Sequence, residues 1–336
     1  MRTKLAQSIR LSQFLVSRLP LGLLTTFVSV SFLSTSCAVS LRTFQNTAAP
    51  TTLTSSSSSS TLITFTCVGH ESETDHKALG DPNVSSALWG QSQTYPYYIC
   101  TAAQLASIGV NSADWSRHYQ LRDDINLTDY TEAADGTQWI PIGSSGSPFT
   151  GTFDGYSKTI SNFNYNDNAY DYLGIFGYLK GGVAEVKNIA LTSVNITGRN
   201  YVGGLVGWIQ QGRVINISVS GAVNGTANVG GVVGYMDVGL IGDSQSSAAT
   251  IGTSLYVGGI VGFNDKGYVM NSYNSGIVQG TNSIGGISGG DNTSFLINVY
   301  NSGDIYWFRK SCGWHRWTYK LGLHAKLLFN GKYSGE

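Results

Sequence analysis

The residues of this chain that could do chemistry are few. Three carboxylates stand out: Asp123 and Asp124, side by side, and Asp154 in the turn Phe153-Asp154-Gly155. General acid–base catalysis needs convergent ionisable groups, and a bound metal needs a cluster of them. Neighbouring residues of a strand point to opposite faces, so Asp123 and Asp124 diverge. An Asp in such a turn commonly hydrogen-bonds its own backbone, which gives Asp154 a structural task. His70, Glu71, Asp75 and His76 are of metal-ligating type, but their spacing fits no metal site and reads as a solvated loop. From Tyr201 to Ile305 the only basic residues are Arg213 and Lys266, the acids are Asp237, Asp243, Asp265, Asp291 and Asp304, and neither His nor Cys occurs. No HExxH pair is present to hold a catalytic zinc. No catalytic, cofactor-binding or metal-binding residue is assigned, and the chain reads as a non-enzyme that needs no cofactor.

Aromatic side chains offer a different chemistry. Trp208, Tyr235 and Phe263 each follow the last glycine of a recurring hexapeptide. Stacked in register they would form a row along one face. Such a row either contacts a sugar or peptide or packs on itself to stiffen the fold. Asn216, Asp243, Asn271 and Asn298 also recur, and a ladder of their side chains would satisfy turn backbones.

The hexapeptide itself says what positions these residues. It reads VGGLVG from Val202, VGGVVG from Val229, VGGIVG from Val257 and IGGISG from Ile284, with a shortened copy, LGIFG, from Leu173. The closing glycines are Gly177, Gly207, Gly234, Gly262 and Gly289. The nearly constant interval between them, about 27–30 residues, means stacked repeats, none of which buries its apolar face alone. Within Tyr201 to Asn228 the apolar residues are mostly Val, Ile and Leu in short runs bounded by Gly, Asn and Ser, which reads as strands. Paired glycines suit a sharp bend or a close backbone approach, and their recurrence excludes a helix. Two or three short strands per unit suit one coil of a right-handed parallel β-helix. Hairpins or a β-propeller are the alternative, although propeller blades run to about 40 residues or more. The expected fold class is all-β: a solenoid with a repeat of about 27–28 residues and an N-terminal cap containing one short helix.

Gly204-Leu205-Val206-Gly207 resembles the GLUG motif, and the resemblance extends over Tyr172 to Ile305. It implies a pectate-lyase-like β-helix of the kind found in large bacterial surface and secreted proteins, adhesin-like ones and some IgA-peptidase-type ones included. The motif is structural and implies no activity. In polysaccharide lyases of this general fold, clustered acids bind calcium and a nearby Arg or Lys acts as base. A structure placing Asp and Lys or Arg together on one lateral face would favour that rival reading. The third reading is the accessory repeats of a surface protease.

The front of the chain reads as targeting sequence. Arg2, Lys4, Arg10 and Arg18 precede a largely apolar run from Leu19 to Leu33, short of the roughly 20 residues that span a bilayer. Residues 1–37 are an export signal. They end in Leu33-Ser34-Thr35-Ser36-Cys37, which resembles a bacterial lipobox with its Leu one position early. Cys37 is the candidate lipidation site, and plain secretion is the alternative. Residues 38–95, with six serines from Ser55 to Ser60, read as a tether and loop. In an exported protein Cys67 and Cys100 could pair. Twenty basic and 20 acidic residues leave no field to attract nucleic acid. The expected partners are a membrane, through the lipid anchor, and a glycan or a host or surface protein. The expected location is the outer membrane or cell surface, otherwise the medium.

Residues 96–171 read as cap and first rungs. Thr101 and Gln104 have the spacing of a capping box and open a short helix from Ala102 to Ser107, stopped by Gly109. A strand of alternating apolar residues from Tyr119 to Leu127 follows, then Trp139 to Gly143, Phe149 to Gly155 and Lys158 to Phe163. This order resembles the leading rungs of GLUG-containing β-helices. GLUG repeats fill 172–306.

Residues 307–336 depart from the pattern: Trp307 to Trp317 is dense in Trp, Arg and Lys where a new repeat is due. Tryptophan's codon, TGG, read one nucleotide later gives GGN, always glycine. Codons exist for which Cys312 to Trp317 then reads VGGIVG. The tail is either a frameshifted repeat or a divergent aromatic cap.

Overall fold

The computed structural model describes residues 90–130, 139–308 and, for the backbone, 309 and 313–317. The chain divides into two units, Met1–Thr61 and Leu62–Glu336, and the described residues all belong to the second. The expected export signal, Cys37, Cys67, the His70–His76 group and Cys312 lie outside the described residues.

The described residues form a parallel β-solenoid of about six turns with one α-helix near its start. Each strand pairs with its counterpart one repeat on. Val206 pairs with Val233, Val233 with Val261, and Val261 with Ser288, all parallel. Twenty strands join in one sheet that wraps the solenoid. Four more, Asn200–Gly203, Ala227–Gly230, Leu255–Gly258 and Asn282–Gly285, make a second small parallel sheet. The period read from the sequence is therefore the length of one coil.

The motif glycines are set by close approach. A Cβ on Gly203 would stand 2.1 Å from the Val206 carbonyl oxygen, and one on Gly231 would stand 2.2 Å from that of Gly259 in the next coil. Neither residue has a positive φ. Most of the left-handed backbone positions fall instead on residues with side chains. One corner of the coil places Asn188, Asn216, Asp243, Asn271 and Asn298 at φ between 48° and 57°. Asn and Asp tolerate that region best among non-glycine residues.

The core changes along the axis. In the leading coils it is aromatic: Tyr119, Trp139, Phe149, Phe153, Phe163, Tyr165 and Phe176 are all at most 1% exposed. Later coils are filled by Val and Ile, with polar residues entering toward the C-terminal end. Ser244, Ser272 and Asn274 are buried there and internally hydrogen-bonded. The Asn274 amide donates to Asn301 Oδ1 of the next coil at 2.7 Å, while Gly276 N–H donates to Asn274 Oδ1 at 3.1 Å. A buried amide is tolerated because each of its groups finds a partner.

The cap differs from expectation in detail. The helix runs Ala102–Val110 rather than ending at Ser107. Thr101 and Gln104 form the capping box. Gly109 does not stop the helix: it lies inside it and is buried, where a Cβ would meet the Ile140 carbonyl oxygen at 2.1 Å. Leu105 and Ile108 face the core at 0% and 1% exposure. Tyr119, Leu121, Ile125 and Leu127 are all buried as the alternation predicts, but the strand is interrupted. His118–Leu121 and Ile125–Asn126 are separate strands, so Asp123 and Asp124 lie in the break between them.

At the far end, in-register parallel pairing continues through Trp307, opposite Gly280. The strand Ile305–Arg309 then pairs antiparallel with Gly313–Trp317.

Candidate functional site

Of the sequence-selected carboxylates, Asp154 and Asp124 are engaged in hydrogen bonds within the coils. Asp154 Oδ1 accepts from Tyr156 N–H at 2.8 Å, the expected turn bond, and from Asn188 Nδ2 at 2.9 Å. Asp124 Oδ1 accepts from Thr159 N–H at 2.7 Å. Among the described residues no three His, Cys, Asp or Glu side chains come together to hold a metal ion. Cys100 is disulfide-bonded, and the other three cysteines lie outside the described residues.

Asp154 heads the corner ladder. Asn188 donates to Asp154, and Asn216 Nδ2 donates to Asn188 Oδ1 at 2.8 Å. Asn271 donates to Asp243 at 3.0 Å and Asn298 to Asn271 at 2.9 Å. The step from Asp243 back to Asn216 has no such bond, because an ionised Asp has no hydrogen to donate. The expected ladder exists in two segments, and Asn188 extends it beyond the sequence reading.

The aromatic row is larger than the three residues that mark it. Trp208, Tyr235 and Phe263 lie directly opposite one another on successive strands, with Tyr178 opposite Trp208 on the other side. Tyr172, Tyr201 and Tyr256 approach them from the preceding corner. Trp208 sits at the centre: its ring centroid is 4.6 Å from Tyr235, 4.9 Å from Tyr201, 5.4 Å from Tyr178 and 5.7 Å from Tyr172. Tyr172 stacks flat on Tyr201 at 4.9 Å, and Tyr235 on Phe263 at 5.4 Å. Tyr178 is buried and the other six are half-buried. The other ring contacts in the row are tilted or edge-on.

The three corner tyrosines carry a conformational cost. Tyr172, Tyr201 and Tyr256 have φ of 59°, 58° and 60°. A bulky side chain in the left-handed region costs about 1–2 kcal/mol, and such outliers persist only where the surroundings hold them. The sequence signal is the residue just before each Val-Gly-Gly or Leu-Gly, which is easily passed over because it varies between Tyr, Asn and Ser.

A polar column runs beside the rings, two residues further along each strand: Gln210, Asp237, Asp265 and Asn292. Tyr178 donates to Gln210 Oε1 at 3.1 Å. Asn292 Nδ2 donates to Asp265 Oδ1 at 2.6 Å. Lys266 bonds Asp265 and lies 3.5 Å from Asp237 Oδ1. Burial, then the carboxylates of Asp265 and Asp237, push the Tyr235 hydroxyl above its ordinary pKa. Burial likewise raises that of Tyr178. Both hydroxyls are therefore donors at neutral pH.

Acid–base pairs are thus present on lateral faces, but they neutralise each other. The hydrogen bond that Lys266 donates to Asp265 raises the Lys266 pKa, opposite to what a catalytic base needs. The same bond, then the one from Asn292, holds the Asp265 carboxyl below its usual range. Glu185 is buried and is met by Lys187 at 2.8 Å and Arg213 at 2.9 Å. Arginine does not give up its proton in proteins, so this trio anchors the coil. Sequence reading missed it because Glu185 has no acidic counterpart in the repeats that follow.

Comparison with known proteins agrees with this architecture. Residues 198–224 match the family described as the GLUG motif. The chain is 31% identical over 164 residues to halomucin of Haloquadratum walsbyi, an alignment that covers 48% of this chain and 2% of that one. It is 32% identical over 162 residues to a protein of Evansella cellulosilytica provisionally named a Gly-rich membrane protein, covering 47% of this chain and 18% of that one. The chain thus spans a small part of the relatives it matches. A 1.30 Å crystal structure of a Bacteroides ovatus protein, provisionally assigned as an immunoglobulin A1 protease, superposes with a TM-score of 0.54 at 24% identity. That likeness covers 65% of this chain and 69% of the other, and at this identity it concerns the fold. The motif match at 198–224 and the copies stacked in register with it make this a GLUG-repeat β-helix.

Proposed function

We propose that this chain is a non-catalytic, surface-displayed repeat protein whose β-helix binds an extended glycan along the aromatic face. Two relatives, named halomucin and a Gly-rich membrane protein, support the surface location. Residues 1–37 and a lipid on Cys37 would supply export and anchoring, residues 38–95 the tether, and a Cys67–Cys100 bridge would tie the tether to the first coil. The observation that carries the reading is the strip itself. Tyrosine hydroxyls held as donors stand beside Gln210, Asp237, Asp265 and Asn292, repeated at the spacing of the coils. Ring edges, amides and carboxylates in a row suit a ligand with many hydroxyls. Three tyrosines are held there in a costly backbone conformation.

The test is titration of soluble polysaccharides and a glycan array with the wild-type protein and with the Asp237→Ala/Asp265→Ala double variant. Both substituted side chains are partly exposed and lie outside the core. The fold therefore survives and circular dichroism is unchanged. Binding by the wild type, weakened at least about tenfold in the variant, is expected, since each lost charged hydrogen bond is worth about 1.5–3 kcal/mol. Absence of binding to every glycan, or equal binding by both proteins, refutes the proposal. Release of reducing ends or unsaturated products by the wild type would favour the polysaccharide-acting rival.

A further inference from the structure

The two ends of the described solenoid differ. The first coils are covered by the helix, whose Leu105 and Ile108 are buried. Among the described residues no helix covers the last coil. Its inward residues Leu296, Val299 and Ile305 are only partly buried, whereas their counterparts one coil earlier, Val269, Ser272 and Val278, are at most 1% exposed. Phe295, Ile297 and Tyr300 on the same coil are 52%, 44% and 47% exposed. Among the described residues, the strands Asn282–Gly285, Ser288–Asp291, Phe295–Ile297 and Tyr300–Asn301 pair backward only. Each leaves a row of forward-facing backbone groups, a ready template for a parallel strand. The one strand that is covered, Ile305–Arg309, is covered antiparallel, against the rule of every named strand pair before it.

The sequence states what belongs there. IGGISG occupies 284–289, and one repeat further on the same six positions are Cys312 to Trp317. The three glycine positions of the motif then fall on Gly313, Trp314 and Trp317. Two of the three are tryptophan, whose codon yields glycine when read one nucleotide later; Trp307 does the same. The close approaches that exclude a Cβ from the motif glycines would exclude an indole more strongly.

We propose that the C-terminal face of the solenoid is an elongation surface that takes a further GLUG coil by parallel, in-register strand addition. The residues after Tyr306 are that coil in a shifted reading frame. The expected occupant has the motif's glycines, β-branched inward residues, and an Asn or Asp in the left-handed corner, one repeat beyond Asn298.

Two measurements test this. The coding DNA is read one nucleotide later from the codon for Tyr306. An open frame continuing as a GLUG repeat is expected, and an early stop or a frame without the motif overturns the proposal. Independently of the codons, the full chain is compared with one in which residues 307–336 are replaced by a copy of 252–279, which places VGGIVG at 312–317. The replaced chain is expected to melt several degrees higher and to show several-fold lower fluorescence of a dye that reports exposed apolar surface. If the original chain melts at the same temperature or higher and binds no more dye, its tail is a native cap and the proposal fails. If light scattering shows the original chain as a stable dimer that the replacement leaves intact, the face is a self-association surface and the proposal also fails.

Discussion

Replacing Gly231 with alanine should unfold the solenoid far more readily than replacing Gly242. At Gly231 the added Cβ would lie 2.2 Å from the Gly259 carbonyl oxygen and 2.4 Å from Ser246 Oγ. Relieving that overlap means moving the next coil by about 1 Å, against a packed interior that resists small expansions. The shift stretches the hydrogen bonds from Gly231 N–H to Gly258 O, now 3.1 Å, and from Val232 N–H to Ile260 O, now 3.0 Å. Overpacking of about 1–3 kcal/mol and two backbone bonds at about 1 kcal/mol each put the loss at about 3–5 kcal/mol. At Gly242 the nearest atom to the added Cβ is Leu240 Cγ at 3.9 Å, and φ is not left-handed. Alanine there should be neutral or stabilise by about 0.4–1 kcal/mol through the unfolded chain. Urea unfolding followed by far-ultraviolet circular dichroism measures both. Equal stability of the two variants, or a Gly231→Ala loss below about 1 kcal/mol, would refute the close-approach account of the motif.

Other consequences are separable from this one. Asp243→Asn gives the corner ladder the donor it lacks toward Asn216 Oδ1 and should stabilise by about 0.5–1 kcal/mol. For a domain of this size that is a rise in Tm of up to about 4 °C, read by calorimetry; a fall would mean the gap is not a missing donor. Thr101→Ala removes a helix cap worth about 1 kcal/mol and should speed amide exchange across Ala102–Val110, leaving the GLUG coils unchanged. The Arg199 hydrogen bond holds Asp171 below its ordinary carboxylate pKa. Its stabilisation is therefore present above the unfolded-chain pKa and lost as pH falls through the depressed value. Arg199→Gln should be less stable than wild type at neutral pH and equal to it in strong acid, with a smaller gap in high salt. A gap that persists in acid would assign the effect to packing.

Much of this was legible in the residues because a solenoid repeats its chemistry. The coil length, the strands, the buried face and the corner ladder all follow from the recurrence of Val-Gly-Gly and of Asn or Asp. The capping box at Thr101 and Gln104 was equally local. What escaped was contact between unlike residues. Tyr172, Tyr178, Tyr201 and Tyr256 join the aromatic face through a backbone conformation and a strand pairing that residue identity does not announce. Glu185 finds Lys187 and Arg213 because pairing places Arg213 opposite it. Gly109 looks like a helix stop until the passing backbone of Ile140 explains it. The interior Asn274–Asn301 bond was hidden because polar residues at inward positions resemble turn residues in the sequence.

The aromatic strip exists only if the coils lie in register. Ala190, Ser218, Gln245, Tyr273 and Tyr300 form one outward column, four coil steps from end to end. At the strand spacing of about 4.8 Å, Ala190 and Tyr300 should be about 19 Å apart, although far apart in sequence. Spin labels at these two positions, read by pulsed dipolar resonance, measure that distance directly. The expected result is a single narrow distribution centred on that separation and broadened only by the label arms. A broad distribution, or one centred at twice that separation or more, would contradict the stacked register and with it the strip proposed to bind.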